Sequence, residues 1–140
     1  MLYLTKRFHF SASHRVYNPG WNDAKNFEVF GKCSNPSGHG HNYVLEVTVS
    51  GDSDANTGYV MDLGELKKIV WNDLIDKVDH KHFNNDVEFM KGVNPTVENI
   101  VTSFWKIIEP KIKSANRKLF SLKLFETENN IVEYRGESYE

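Results

Sequence analysis

At 140 residues with a formal net charge of -2, the chain has the size of one domain and no electrostatic bias toward nucleic acid or an anionic membrane. A hydrophobic share of 39% and an aromatic share of 13% exclude a disordered segment, and no uncharged apolar run reaches the roughly 18 residues of a membrane span. A single cysteine excludes an intrachain disulfide, and "MLYLTKRFHF" lacks the basic region and apolar run of a secretory leader, so a cytoplasmic protein with one domain over 1–140 is expected.

Leu2 to Ser13 alternates as a half-buried strand does, with Phe8 and Phe10 on one face, His9 on the other and His14 at its end. From Val16 to Ser37, Asn, Gly, Pro and Asp interrupt isolated aromatics and no period survives, so this stretch is expected to be a binding loop or lid. His41 to Ser50 alternates cleanly, with Tyr43, Leu45, Val47 and Val49 on one face. "GDSDANTG" then turns the chain, and "YVMDL" reads as a short return strand. Asp62 and Glu65 form a capping-box-like pair before an apolar stripe of Leu63, Leu66, Ile69, Val70, Trp71 and Leu74, which predicts a helix ending near Lys77.

The irregular "VDHKHFNNDVEFMKGV" follows. Asn94-Pro95-Thr96 with Glu98 opens a second helix, striped by Val97, Ile100, Val101, Phe104, Trp105 and Ile108 and finishing around Pro110. Two strands, "KLFSLKLFET" and "IVEYRG", close the chain around a break at Glu128-Asn129-Asn130. This order predicts an α+β fold: a four-stranded antiparallel sheet with two helices on one face. Its two sheet edges invite pairing with other chains, which makes a barrel built from subunits a reasonable expectation.

In "CSNPSGHGHNY", His39 and His41 lie two apart where a strand begins, so both side chains project to one face and converge on one ion. Isolated pairs of this kind are often surface histidines. His14, at the end of the paired strand, supplies a third imidazole, and three neutral imidazoles with one open position describe a catalytic zinc site. Cys33 sits in a Gly/Asn/Pro-rich loop rather than in an apolar stripe; beside a divalent cation its thiolate would be favoured and could act as a base. A fourth zinc ligand and an ordinary loop cysteine are the competing readings. Asp79 and His80 have the acid/base arrangement in which a carboxylate fixes an imidazole tautomer, though adjacent Asp and His are also common on surfaces. Glu126, at a strand end, could accept two parallel N–H bonds from an amidine-like edge, and taken alone it reads as an exposed Glu. His9 and His82 read as structural.

Together, "SASHR", "GKCSNPSGHGHNY", "TGYVMDLGELKK", "VDHKHFN", "NPTVENI" and "FETENNIVEYRGE" resemble the family of 6-pyruvoyl- and 6-carboxy-tetrahydropterin synthases, over Phe8 to Glu137. The resemblance implies the tunnelling fold (T-fold), in which three subunits close a twelve-stranded barrel and two trimers stack into a homohexamer. It implies His14, His39 and His41 as zinc ligands, Cys33 as catalytic thiolate, Asp79 and His80 as a proton-shuttling pair and Glu126 as the pterin anchor. Thr96 and Glu98 match a motif near the pterin pocket. The implied reaction is that of a lyase: 7,8-dihydroneopterin triphosphate loses triphosphate to give 6-pyruvoyl-tetrahydropterin for tetrahydrobiopterin biosynthesis. Five residues between Cys33 and His39, followed by "HGHNY", resemble the pyruvoyl-forming branch more than the carboxy-forming branch of deazapurine biosynthesis. The alternatives are that carboxy-forming activity, a non-catalytic pterin-binding module, and an aldolase-like activity that needs no zinc triad.

Overall fold

In the computed structural model, which describes residues 1–137, the two alternating segments become one long ladder. β1 (Leu2–His14) pairs antiparallel with β2 (His39–Gly51), with Leu2 opposite Gly51 and His14 opposite His39. β4 (Arg117–Phe125) adds to β2, and β5 (Ile131–Tyr134) adds to β4, both antiparallel. The expected sheet is four-stranded, but a fifth, two-residue strand, β3 (Lys81–His82), pairs in parallel with the outer edge of β1 and gives the order β3-β1-β2-β4-β5. Two residues cannot show alternation, so the sequence carries no sign of β3.

Phe8, Phe10, Tyr43, Leu45, Leu122 and Leu124 project from one face of the sheet and are 0–4% exposed. The helices α2 (Leu63–Val70) and α5 (Val97–Ile112) contribute Leu66, Val70, Ile100, Phe104 and Ile108 to the same core cluster, all at 0%. Truncating a side chain such as Leu45 to Ala here costs about 2–5 kcal/mol, transfer and cavity terms together. The outer face is polar, and its cross-strand pairs follow the register, Thr5 with Thr48, Arg7 with Glu46 and Ser11 with Asn42, while Ser121 reaches diagonally to Glu133, which lies opposite Lys123.

Asp62 caps α2 as expected, accepting from the Gly64 N–H, but Glu65 meets Arg117 instead of closing a capping box. Helical structure continues through a π turn (Trp71–Ile75) into the short α3 (Asp76–Val78). The fully buried positions Leu66, Val70, Leu74 and Val78 are spaced by four. In a regular helix each such step would rotate the stripe by about 40°, a drift that a wide π turn takes up. Trp71, expected in the stripe, lies in this turn and is 41% exposed, and Leu63, also expected there, stands at the first position of α2 and is 46% exposed. "YVMDL" forms no strand; it runs from bend directly into the helix cap.

The expected loop holds α1 (Asp23–Phe30) and a 3-10 turn (Gly31–Ser34). Asn22 caps α1 by accepting from the Lys25 N–H. The interior of this segment is one buried amide: Asn26 accepts from the Asn18 N–H and donates to the carbonyls of Asn18, Trp21 and Asn22. α4 (Phe83–Asp86) follows β3, and Asn84 bonds both the N–H and the carbonyl of Arg15, prolonging the edge of β1 as a strand neighbour would.

Candidate metal centre and active site

The β1–β2 register brings three imidazoles to one end of the core face. His14 and His39 are cross-strand partners, and His41 lies two residues further along β2 on the same side. One ring nitrogen of each lies within 4.8 Å of the others, and His14 Nε2 is 3.0 Å from His39 Nε2. His14 is fully buried, and its Nδ1 lies 2.7 Å from the Pro95 carbonyl oxygen just ahead of α5. A carbonyl only accepts, so Nδ1 holds the proton and Nε2 keeps a free lone pair facing the cluster. Burial lowers the His14 pKa to about 4, opposed by the Pro95 bond and helped by the neighbouring imidazoles. His41 is lowered too, chiefly by burial and against the pull of Glu126.

These residues fit a cation. His41 Nε2 and His39 Nδ1 are buried with no hydrogen-bond partner, and a group of neutral imidazoles around a common point is a donor set that a transition metal satisfies. Glu126, just beyond β4, directs Oε2 to within 3.7 Å of His14 Nε2 and 3.9 Å of His41 Nε2. The buried Tyr43 hydroxyl, also without a partner, has its pKa raised by burial and by the Glu126 carboxylate.

Cys33 lies exposed in the turn after α1. The turn is stitched to the chain leaving β1: Val16 N–H donates to the Cys33 carbonyl, Arg15 Nε to the Ser34 carbonyl, and Ser34 Oγ to the Gly31 carbonyl. Cys33, His39 and His41 consequently line one cavity of about 580 Å³, together with Phe27 and Lys32. Phe27 is 64% exposed, an aromatic left in solvent beside polar chemistry.

Asp79 and His80 lie elsewhere. Asp79 accepts from the Ser11 N–H at 2.9 Å and from His80 Nδ1 at 3.0 Å; His80, at φ +61°, donates its own N–H to the Ser11 carbonyl. The Ser11 bond, and then His80, hold the Asp79 carboxyl below the usual carboxylate range. His80 lines a second cavity of about 480 Å³ with Ser11, Asn42, His82 and Asp86; Cys33 is not part of it, and His41 lines both cavities. Thr96 is the cap of α5, its hydroxyl accepting from the Asn99 N–H, and Glu98 is exposed in the first turn. Neither is among the residues lining the Cys33 cavity.

Sequence reasoning did not point to Pro95, Arg15, Asn26, Phe27 or Tyr43. Pro95 acts through a backbone carbonyl, which no side-chain pattern marks; Tyr43 is legible as core, and its hydroxyl as the polar end of a core strand next to "HGH".

The family model described as 6-pyruvoyl tetrahydropterin synthase matches residues 3–137. A 6-pyruvoyl tetrahydrobiopterin synthase of Pongo abelii is 43% identical over 134 residues, covering 96% of this chain and 91% of that protein. A 6-carboxy-5,6,7,8-tetrahydropterin synthase of Rickettsia conorii is 34% identical over 149 residues, covering 95% and 99%. The solved structure of Caenorhabditis elegans 6-pyruvoyl tetrahydropterin synthase superposes with a TM-score of 0.84 at 36% identity, covering 97% of this chain and 96% of that one.

Proposed function

The chain belongs to the 6-pyruvoyl tetrahydropterin synthase family, and from that premise we propose that it is a zinc-dependent lyase converting 7,8-dihydroneopterin triphosphate to 6-pyruvoyl-tetrahydropterin and triphosphate. The observation that carries the reading is the convergence of His14, His39 and His41, the last two of which line the cavity that Cys33 also lines. Zinc, when bound by the three imidazoles, supplies a Lewis acid toward the side-chain oxygens of the substrate. Cys33 is the base that takes a proton from the neighbouring side-chain carbon. Asp79 holds His80 Nδ1, leaving Nε2 to pass protons to and from solvent. Glu126 turns its two oxygens to the amino and ring N–H edge of the pterin, a bidentate acceptor for two parallel donors. Thr96 and Glu98 stand near that pocket as secondary contacts.

Cys33 and His80 line two neighbouring cavities of one chain that have His41 in common. On this reading the Asp79–His80 pair that serves the Cys33 of one chain comes from another copy, in a homohexamer whose subunit sheets close a T-fold barrel. The reading carries a cytoplasmic location; among the described residues no helix is long and apolar enough to cross a membrane.

The test is a product assay on the zinc-loaded protein with 7,8-dihydroneopterin triphosphate. Triphosphate release with the three-carbon side chain retained, abolished in Cys33→Ala, is the expected result. Acetaldehyde and a carboxylated pterin would move the chain to the branch of its Rickettsia relative, and intact zinc binding without turnover would make it a binding module.

A further inference from the structure

His82 stands beside the histidine cluster without belonging to it. β3 pairs with β1 at Ser13 and His82, one residue before His14, which carries the His82 ring to the entry of β2. Gly38 lies there, immediately before His39, at φ +74°, a region that side-chain-bearing residues seldom occupy. A methyl group on Gly38 would meet His82 Nε2 at 2.9 Å and the His14 carbonyl oxygen at 3.0 Å. The His82 ring and the His14 backbone thus close off the space a side chain at Gly38 would need, while the Gly38 N–H donates to the Asn35 carbonyl in the Cys33 segment. His82 Nδ1 is buried without a hydrogen-bond partner, so polar bonding does not explain why an imidazole occupies this place.

We propose that His82 is a positioning residue for the metal site: its ring, filling the space on the side-chain side of Gly38, restricts the path of the backbone into β2 and so aims His39 at the point it shares with His14 and His41. The proposal rests on the metal reading above. Without the ring, a glycine faces a gap on one side and its torsions are released, and His39 loses the constraint that sets its approach. Partners that orient a ligand from outside the coordination sphere are typically worth about 10–100-fold in metal affinity.

The experiment measures zinc affinity of the full chain by chelator competition and the ligand-field absorption of the Co²⁺-loaded protein, for wild type, His82→Ala, Gly38→Ala and the double variant. His9→Ala serves as the control for an imidazole lost elsewhere on β1. Metal-free melting temperatures are recorded in parallel. His82→Ala is expected to weaken zinc about 10-fold and move the Co²⁺ bands, with the metal-free melting temperature unchanged and His9→Ala silent. Gly38→Ala should weaken zinc further than His82→Ala does. Its additional loss must be smaller in the His82→Ala background, where one of its two close contacts is gone. Unchanged affinity and spectrum in His82→Ala, losses that simply multiply in the double variant, or a metal-free melting temperature that falls in step with affinity would each overturn the proposal. A wild-type chain that binds no zinc would overturn the metal reading and this one with it, and that outcome is visible before any variant is made.

Discussion

The histidine cluster and the Asp79–His80 pair are built on opposite edges of the same strand, β1, by different means. The cluster is set by the register of a 13-residue ladder, with His14 opposite His39 and a buried hydrogen bond to Pro95 behind it. To move one imidazole relative to another, strands would have to slip, which would turn every core side chain to the wrong face. The pair hangs on a turn instead: two hydrogen bonds to Ser11 and a left-handed residue, with the His80 side chain 83% exposed. A group that holds an ion gains from a rigid frame, and one that hands protons to solvent gains from access. The difference in construction separates holding from transfer.

The comparison breaks most visibly at His14. In His14→Ala, zinc affinity measured by chelator competition should fall by more than the roughly 100-fold that an orienting partner costs, because a ligand is lost. The buried Pro95 carbonyl also loses its donor, which should lower stability by about 1–3 kcal/mol in a denaturant titration of the metal-free chain. Retained stoichiometric zinc would show that the three imidazoles are not one site.

At the pair, Asp79→Asn should leave zinc content at the wild-type level and reduce turnover by about 10²–10⁴-fold, the usual range for a positioned acid or base. An amide still accepts from the Ser11 N–H, so the fold is spared. The proposed sharing of a site between copies adds a sharper result. Inactive Asp79→Asn and inactive Cys33→Ala chains, co-assembled, should recover part of the activity if each site draws on two copies. Mixtures that stay dead would require both groups to act within one chain.

How far the sequence could be read follows the same division. Alternation over ten residues made β1 and β2 legible, and with them the side on which His39, His41 and Tyr43 fall. α1 was hidden because it buries only Asn26 and has no apolar stripe. β3 was hidden because two residues carry no period, and that short pairing puts Asp79, His80 and His82 where they are. The π turn displaced Trp71 from a stripe that a regular helix would have kept, and Leu63 stands exposed at the open first turn of α2. Glu126 could be read as a carboxylate at a strand end, but its closeness to His14 and His41 depends on the β2–β4 register, which is a tertiary fact.

The smallest expected effect concerns acid. The folded Asp79 carboxyl is held below its ordinary range, first by the Ser11 N–H and then by His80, so the folded chain binds a proton there less readily than the unfolded chain. The contribution to stability is therefore fully present above the ordinary carboxylate pKa and is lost as pH falls through the depressed folded value. Asp79 is partly open to water, which limits the contribution to less than about 1 kcal/mol. Asp79→Asn cannot ionise but keeps an acceptor for Ser11. Its stability deficit against wild type, read as a urea midpoint, should accordingly be largest near neutrality and shrink toward zero in acid. A deficit that grows on acidification would mean that the carboxylate is strained by its surroundings instead of held by them, and the pair would then be a poised group in the same sense as the buried cluster.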